Sequence, residues 1–195
     1  MSRVEGLDPS RGLVPNEALC RMLSIPRAFR PEEVDRVRAL AEAQAPVLGE
    51  VIVESGPADR RSSEVRWLPH GPDTKWLYDR LGSLIHTLNA QHWRFELGGL
   101  EAIQVARYGV GDGYDWHVDL GPGQASMRKL SISIQLSEAD AYEGGDLQFP
   151  DGPERLARNR GDALVFPSFM HHRVAPITAG ERWSVVAWIV GPPFR

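Results

Sequence analysis

A single cysteine, Cys20, occurs in 195 residues. That excludes an intramolecular disulfide and any cysteine-built metal cluster. No apolar run approaches the roughly 18 residues that span a bilayer. The N-terminal stretch "MSRVEGLDPSRGLVPNE" lacks the apolar centre of a signal peptide, so the expected location is the cytoplasm, without a membrane partner. Basic residues are also in short supply. Lys and Arg number 22 against 26 Asp and Glu, a formal net charge of −4. A general nucleic-acid binder needs a basic face, so nucleic acid is not an expected partner. One local exception is "DRRSSEVR", which gathers Arg60, Arg61 and Arg66. What is present is ordinary for a globular protein: 42% hydrophobic and 25% charged residues. The length suits one domain, and internal repeats and low-complexity tracts are absent.

Residues 1–28 are rich in Pro, Gly and polar side chains and read as an arm packed on the domain. Residues 29–92 read as helical support. "RPEEVDRVRALAEAQA" places Pro31 at a first-turn position with Glu32 and Glu33 near the positive end of the helix dipole. Val34, Val37, Leu40 and Ala41 make its apolar stripe. "PDTKWLYDRLGSLIHTLNAQ" predicts a second helix, capped by Asp73, with Trp76, Leu77, Leu81, Leu84, Ile85 and Leu88 on one side. Between them "EVIVE" and "EVRWL" read as strands. From residue 93 to 195 the apolar period becomes two. "WRFEL", "EAIQVARY", "YDWHVD", "KLSISIQLS", "GDLQF", "DALVF", "HHRVAPI" and "RWSVVAWIV" are short strand candidates divided by Gly, Pro, Asp or Asn. Helices followed by this many strands predict an α+β, mainly β fold, a sandwich or barrel with the helices packed on one sheet.

In "LSISIQL", Leu130, Ile132, Ile134 and Leu136 share one face, and Ser131, Ser133 and Gln135 share the other. For a lone strand the polar face belongs in water. Helices packed outside a barrel reverse this, so that the polar face lines a wet pocket. Gln104, Ala106 and Tyr108 repeat the pattern.

The chemistry-bearing residues begin with "YGVGDGYDWHVDLG". His117 and Asp119 are one residue apart, which on a strand points both to one face. Imidazole with carboxylate suits a divalent transition metal, although His-x-Asp alone is a weak signal. "FPSFMHHRVAPITAGERWS" supplies His171 and His172, of which a strand can turn only one inward, and then Arg182 and Ser184. Two histidines and a carboxylate form a facial triad with open metal positions, the arrangement of oxygen-activating non-haem Fe(II). An arginine in the same pocket can pair with a distant carboxylate of a co-substrate.

Taken together, His117-x-Asp119, His172 and Arg182-x-Ser184 resemble the 2-oxoglutarate- and Fe(II)-dependent dioxygenases, in their prolyl 4-hydroxylase-like branch. "YGVGDGYDWHVD", "EGGDLQFP" and "FPSFMHHRVAPITAGERWS" each resemble a segment of that branch, and "RRSSEVRWL" is similar to an upstream segment of bacterial members. The resemblance covers about residues 60 to 190. It implies a double-stranded β-helix (a jelly-roll, cupin-like barrel) in a single domain over residues 1–195. It implies Fe(II) held by His117, Asp119 and His172, with the family register choosing His172 over His171. It implies 2-oxoglutarate as co-substrate, its C5 carboxylate on Arg182 with Ser184 assisting and Tyr108 lining the pocket, and O2 as oxidant. Gln135 stands where many relatives carry tyrosine, and its amide is expected to donate to the co-substrate.

The implied reaction hydroxylates an unactivated C–H bond of an amino-acid-like substrate, free or peptidyl, with proline first by analogy and succinate and CO2 as co-products. Alternatives are hydroxylation of a small natural-product precursor and a non-catalytic sensor of metal or 2-oxoglutarate. No side chain is assigned as general acid or base. Tyr114, Asp115 and Trp116 are candidate substrate contacts. Arg128 is another, for an acidic substrate group, against the reading of a plain exposed arginine. Residues 120–128 are read as either a lid or a connector. His70, His86 and His92 read as structural, and most of the six tryptophans as packing.

Overall fold

Two helices carry the apolar stripes. The computed structural model describes residues 16–48, 61–150, 152 and 156–194. Helix α1 (Pro31–Glu42) starts at its proline, and the Arg30 N–H donates to Glu33 Oε2 at 2.8 Å. It buries Val34, Val37 and Ala41. Helix α2 (Lys75–Gln91) buries Leu77, Leu81 and Ile85. Each such valine, leucine or isoleucine side chain contributes about 1.5–3 kcal/mol when fully removed from water. The expected cap at Asp73 is not found. Thr74 holds the N-cap position, but its hydroxyl donates to Pro69 O at 2.6 Å and accepts no hydrogen bond from the helix N–H groups.

The strands in sequence order are β1 (Leu23–Ile25), β2 (Val47–Leu48), β3 (Arg61–Ser62), β4 (Glu64–Leu68), β5 (Gly99–Leu100), β6 (Ile103–Tyr108) and β7 (Gly113–His117). They continue with β8 (Arg128–Gln135), β9 (Tyr142–Gly144), β10 (Leu147–Gln148), β11 (Ala163–Pro167), β12 (His172–Val174), β13 (Ile177–Gly180) and β14 (Arg182–Val190). The large sheet runs β1-β11-β8-β14-β6-β4-β2, with β5 added to β14. A smaller sheet runs β10-β12-β7-β3, and β13 pairs with β9 as a ribbon.

This arrangement makes two apolar layers. Leu130, Ile132 and Ile134 of β8 meet α1 and α2 residues in the first. Ala106, Leu147, Leu164, Phe166 and Val174, drawn from both sheets, make the second. Ser131, Ser133 and Gln104 lie on the inner side of the large sheet and line a cavity. The alternation in "LSISIQL" therefore separates a dry outer contact from a polar interior, as the helix-covered reading expects.

Several strand expectations change. "EVIVE" lies outside the described residues. "WRFEL" is not a strand: Arg94 takes φ 57°, which breaks an extended run, and Trp93 is buried with its indole N–H donating to Arg21 O at 3.1 Å. "EGGDLQFP" does not fold on itself: Gly144 ends β9, which pairs with β13, and Gly145 leads towards β10, which pairs with β12. Part of the N-terminal arm joins the fold as β1, an edge strand on β11. The supporting stretch supplies β4 to the large sheet, against β6. Residues 123–127 form a short 3-10 helix within the loop that follows Asp119.

Candidate active site

His117 ends β7 and His172 begins β12, and the two are directly paired across the small sheet. Their ring centroids are 4.2 Å apart. Asp119 is not on the strand, so the expected same-face spacing does not place it. The backbone bends after His117, and the N–H groups of Asp119 and Leu120 both donate to Ser168 O at 2.9 Å. Ser131 Oγ then donates to Asp119 Oδ2 at 2.6 Å. The result matches the expectation by another route: Asp119 Oδ1 lies 3.8 Å from His117 Nε2, and Oδ2 lies 3.6 Å from His172 Nε2. His171 is exposed and points away.

The two imidazoles are prepared alike. His117 Nδ1 is 2.7 Å from Asp115 O, and His172 Nδ1 is 2.9 Å from Met170 O. A carbonyl can only accept, so each Nδ1 carries the hydrogen and each Nε2 keeps its lone pair. Burial, then the neighbouring His172, pushes the His117 pKa down to about 4 against the pull of Asp119 and the Asp115 carbonyl. The ring is therefore neutral at neutral pH. Burial would raise the Asp119 carboxyl, but the neighbouring His172 and His117 and the hydrogen bond from Ser131 outweigh it and hold the group below its ordinary value. Among the described residues, ligand atoms of His117, Asp119 and His172 lie within 4.8 Å of one another. Two neutral nitrogens and one carboxylate fit a divalent transition metal.

These groups line a cavity with about 470 Å³ free of protein atoms, its mouth included. Arg182, at the start of β14, enters the same cavity and is only 2% exposed. Its Nε donates to Gln135 Oε1 at 3.0 Å. Its Nη1 is buried and has no hydrogen-bond partner among the described residues. An unpaired buried guanidinium nitrogen is costly unless a ligand completes it, and a carboxylate fits that need. Tyr108 pairs in register with Arg182 across β6 and β14, and its ring centre is 5.6 Å from the Arg182 Cζ. Ser184 lines the cavity on the same strand face. Gln135 does not line it. Its carbonyl oxygen accepts from Arg182, which leaves its amide N–H groups for the expected donor role.

The substrate candidates separate. Tyr114 lines the cavity and stacks on His117 with ring centroids 3.5 Å apart. A regular strand would send residues three apart to opposite faces. A bulge prevents this, because His172 pairs with His117 while Val174 pairs with Tyr114. Asp115 is exposed, and its carbonyl serves His117. Trp116 is 40% exposed and stacks under Arg173 outside the cavity. Arg128 is absent from the cavity lining and is not a plain exposed arginine. It pairs with both Glu101 oxygens at 2.9 and 2.7 Å, donates to Asp119 O at 3.1 Å and covers Trp188. The sequence reading put Ser131 on the pocket-lining face without a role and missed Arg61, Ser168 and Trp188 as parts of the site. Arg61 lines the cavity, whereas Arg66 stacks on Trp183 and Arg60 lies outside the described residues. The basic cluster is therefore not one patch.

A β fold with a His-Asp-His cluster and a buried arginine in one cavity fits a metal ion and an anion side by side. Comparison with known proteins agrees. Residues 103–190 match the model of the 2OG-Fe(II) oxygenase superfamily. A PKHD-type hydroxylase of Methylobacterium nodulans is 30% identical over 179 residues, covering 86% of this chain and 77% of that protein. A PKHD-type hydroxylase of Maricaulis maris is 39% identical over 92 residues, covering 46% of this chain and 42% of that protein, so this match spans less than half of that relative. The crystal structure of a Pseudomonas putida prolyl-4-hydroxylase shares the fold, with TM-score 0.68 and 22% identity over 90% of this chain and 95% of that one. The chain belongs to the 2OG-Fe(II) oxygenase superfamily, with a PKHD-type hydroxylase among its relatives. The cofactors of that family are Fe(II), 2-oxoglutarate and O2, and it comprises non-haem iron oxygenases. Among the described residues, no helix is long and apolar enough to cross a membrane.

Proposed function

We propose that the protein hydroxylates an unactivated C–H bond of an amino-acid-like substrate, free or peptidyl, with proline the first candidate. The supporting observation is one cavity that contains both the His117, Asp119 and His172 cluster and the buried, incompletely bonded Arg182. The prolyl-4-hydroxylase likeness supports proline as the first substrate to try. In this reading the two sheets are the halves of a double-stranded β-helix.

His117 Nε2, Asp119 and His172 Nε2 would hold Fe(II), and Arg182 would pair with the far carboxylate of 2-oxoglutarate, with Ser184 and Tyr108 beside it. Fe(II) with 2-oxoglutarate and O2 supplies the oxidising power, one oxygen atom passing to the C–H bond and the other to succinate as CO2 leaves. The protein's own residues bind, orient and exclude water. Asp115 O and Met170 O fix the histidine tautomers. Ser131 fixes the carboxylate, and Gln135 fixes the guanidinium. The apolar lining from Leu147, Phe166 and Val174 keeps the site dry. No side chain needs to act as a general acid or base.

The test is anaerobic addition of Fe(II) and 2-oxoglutarate, which produces a visible charge-transfer band that Asp119→Ala abolishes. A band that survives Asp119→Ala overturns the metal assignment. A mass screen for one added oxygen across amino acids, peptides and small metabolites, coupled to succinate release, then names the substrate. A protein that binds 2-oxoglutarate and turns over nothing is a sensor instead.

A further inference from the structure

Arg61 is the cation in the cavity that the reaction above does not use. Its Nε donates to Ser63 Oγ at 2.8 Å and its Nη2 to Gln104 Oε1 at 2.8 Å. Ser63 and Gln104 are both buried, so the guanidinium is held by an interior frame and not by surface groups. Both partners are neutral. They orient the charge without cancelling it.

Several other partly buried arginines of this protein are matched with acids, whereas Arg173 and the buried Arg182, like Arg61, hold only neutral oxygens among the described residues. Arg107 pairs with Glu64 and Glu181, Arg128 with Glu101, Arg158 with Asp146, and Arg160 with Asp35 and Glu138. Arg61 has no carboxylate partner among the described residues. Among those that line the cavity, Asp119 is the only acid.

The charge balance sharpens the point. In the loaded site the iron dication and the 2-oxoglutarate dianion cancel, and Asp119 balances Arg182. Among the described residues that line the cavity, Arg61 then remains as the positive charge without a counter-charge. Leaving it unpaired there is costly. A carboxylate meets a guanidinium with charge-assisted, geometrically matched hydrogen bonds. The position suits a group next to the reacting carbon. The Arg61 Cζ lies 5.2 Å from the Tyr114 ring, and that ring stacks on His117 at 3.5 Å.

We propose that Arg61, framed by Ser63 and Gln104, is an anion subsite for the substrate, and that the substrate presents a carboxylate, as a free or N-blocked amino acid or the C-terminal residue of a peptide does. This rests on the iron and 2-oxoglutarate reading and narrows its substrate class. An internal peptide residue, which offers only carbonyls and amides there, is the competing occupant.

The experiment uses the whole protein, loaded anaerobically with Fe(II) and 2-oxoglutarate and checked for the charge-transfer band in each variant. It is titrated calorimetrically with N-acetylated proline, leucine and lysine, each as free acid and as primary amide. In the wild type at least one acid binds about tenfold more tightly than its amide, the scale of a charged hydrogen bond. Arg61→Gln removes that preference, and Arg61→Lys, which keeps the charge without the fork, retains part of it. The proposal is overturned if no acid outbinds its amide in the wild type, or if the preference survives Arg61→Gln. A wild-type protein without the band overturns the iron reading and this proposal with it, whereas a band with no acid preference overturns this proposal alone.

Discussion

The Ser131 hydroxyl donates to the Asp119 carboxylate at 2.6 Å and stands 2.9 Å from the Ser168 hydroxyl. Ser131 belongs to β8 of the large sheet, and Asp119 follows β7 of the small one. The contact therefore joins the two sheets at the candidate metal centre and directs an acid that has left its strand. Ser131→Ala is expected to lower divalent-metal affinity by about 10–100-fold, the usual scale for losing a partner of a ligand. Ser131→Thr keeps the hydroxyl and retains the affinity. A Co(II) titration followed in the visible range measures both, with unchanged affinity in Ser131→Ala as the contrary result.

The paired histidines of "MHHRV" divide cleanly. His172 is buried and faces His117, while His171 is exposed. His172→Ala is expected to abolish Co(II) binding and the 2-oxoglutarate charge-transfer band, whereas His171→Ala leaves both intact. The reverse pattern would show that the ligand is the other residue of the pair.

Gly145 adopts φ 64°, and a Cβ built there would lie 2.3 Å from Ile177 Cδ1 and 3.1 Å from Arg182 Cδ. Gly145→Ala combines left-handed strain with a clash in a packed core. It should cost about 1–3 kcal/mol in urea denaturation. Because the added methyl also presses on the Arg182 side chain, the 2-oxoglutarate affinity of the folded fraction should fall as well.

Glu181 ties the β13–β14 corner to the sheet. Its carboxylate accepts from Trp183 Nε1 and Arg107 Nε, each at 2.9 Å. Burial works to raise its pKa, but those bonds and the charges of Arg107 and Arg38 outweigh it and hold it below the ordinary 4.5. A lowered carboxyl pKa stabilises the fold above the unfolded-state value, and that stability is lost as pH falls through the folded-state value. The difference in unfolding free energy between wild type and Glu181→Gln should therefore be constant near neutrality and shrink as pH drops below about 4.5. A difference that stays flat through that range would contradict the assignment.

Local patterns in the sequence were enough to read the helices and the two faces of β8. Val34, Val37, Leu77, Leu81, Ile132 and Ile134 repeat with the period of their own element, and that period is a property of neighbouring residues. The motifs also brought out His117, Asp119 and Arg182, because those residue types serve one chemistry, and the family resemblance chose His172 over His171. How they meet was not legible. Asp119 reaches the histidines through Ser168 O and Ser131, not through strand alternation, and a bulge that exists only between paired strands turns Tyr114 beside His117. Gln135 serves Arg182, and Arg61 reaches Gln104 from a remote part of the sequence. Such contacts depend on the register between strands far apart in sequence. That register is set by the packing of whole sheets, so the sequence encodes which groups are available and tertiary structure decides which of them touch.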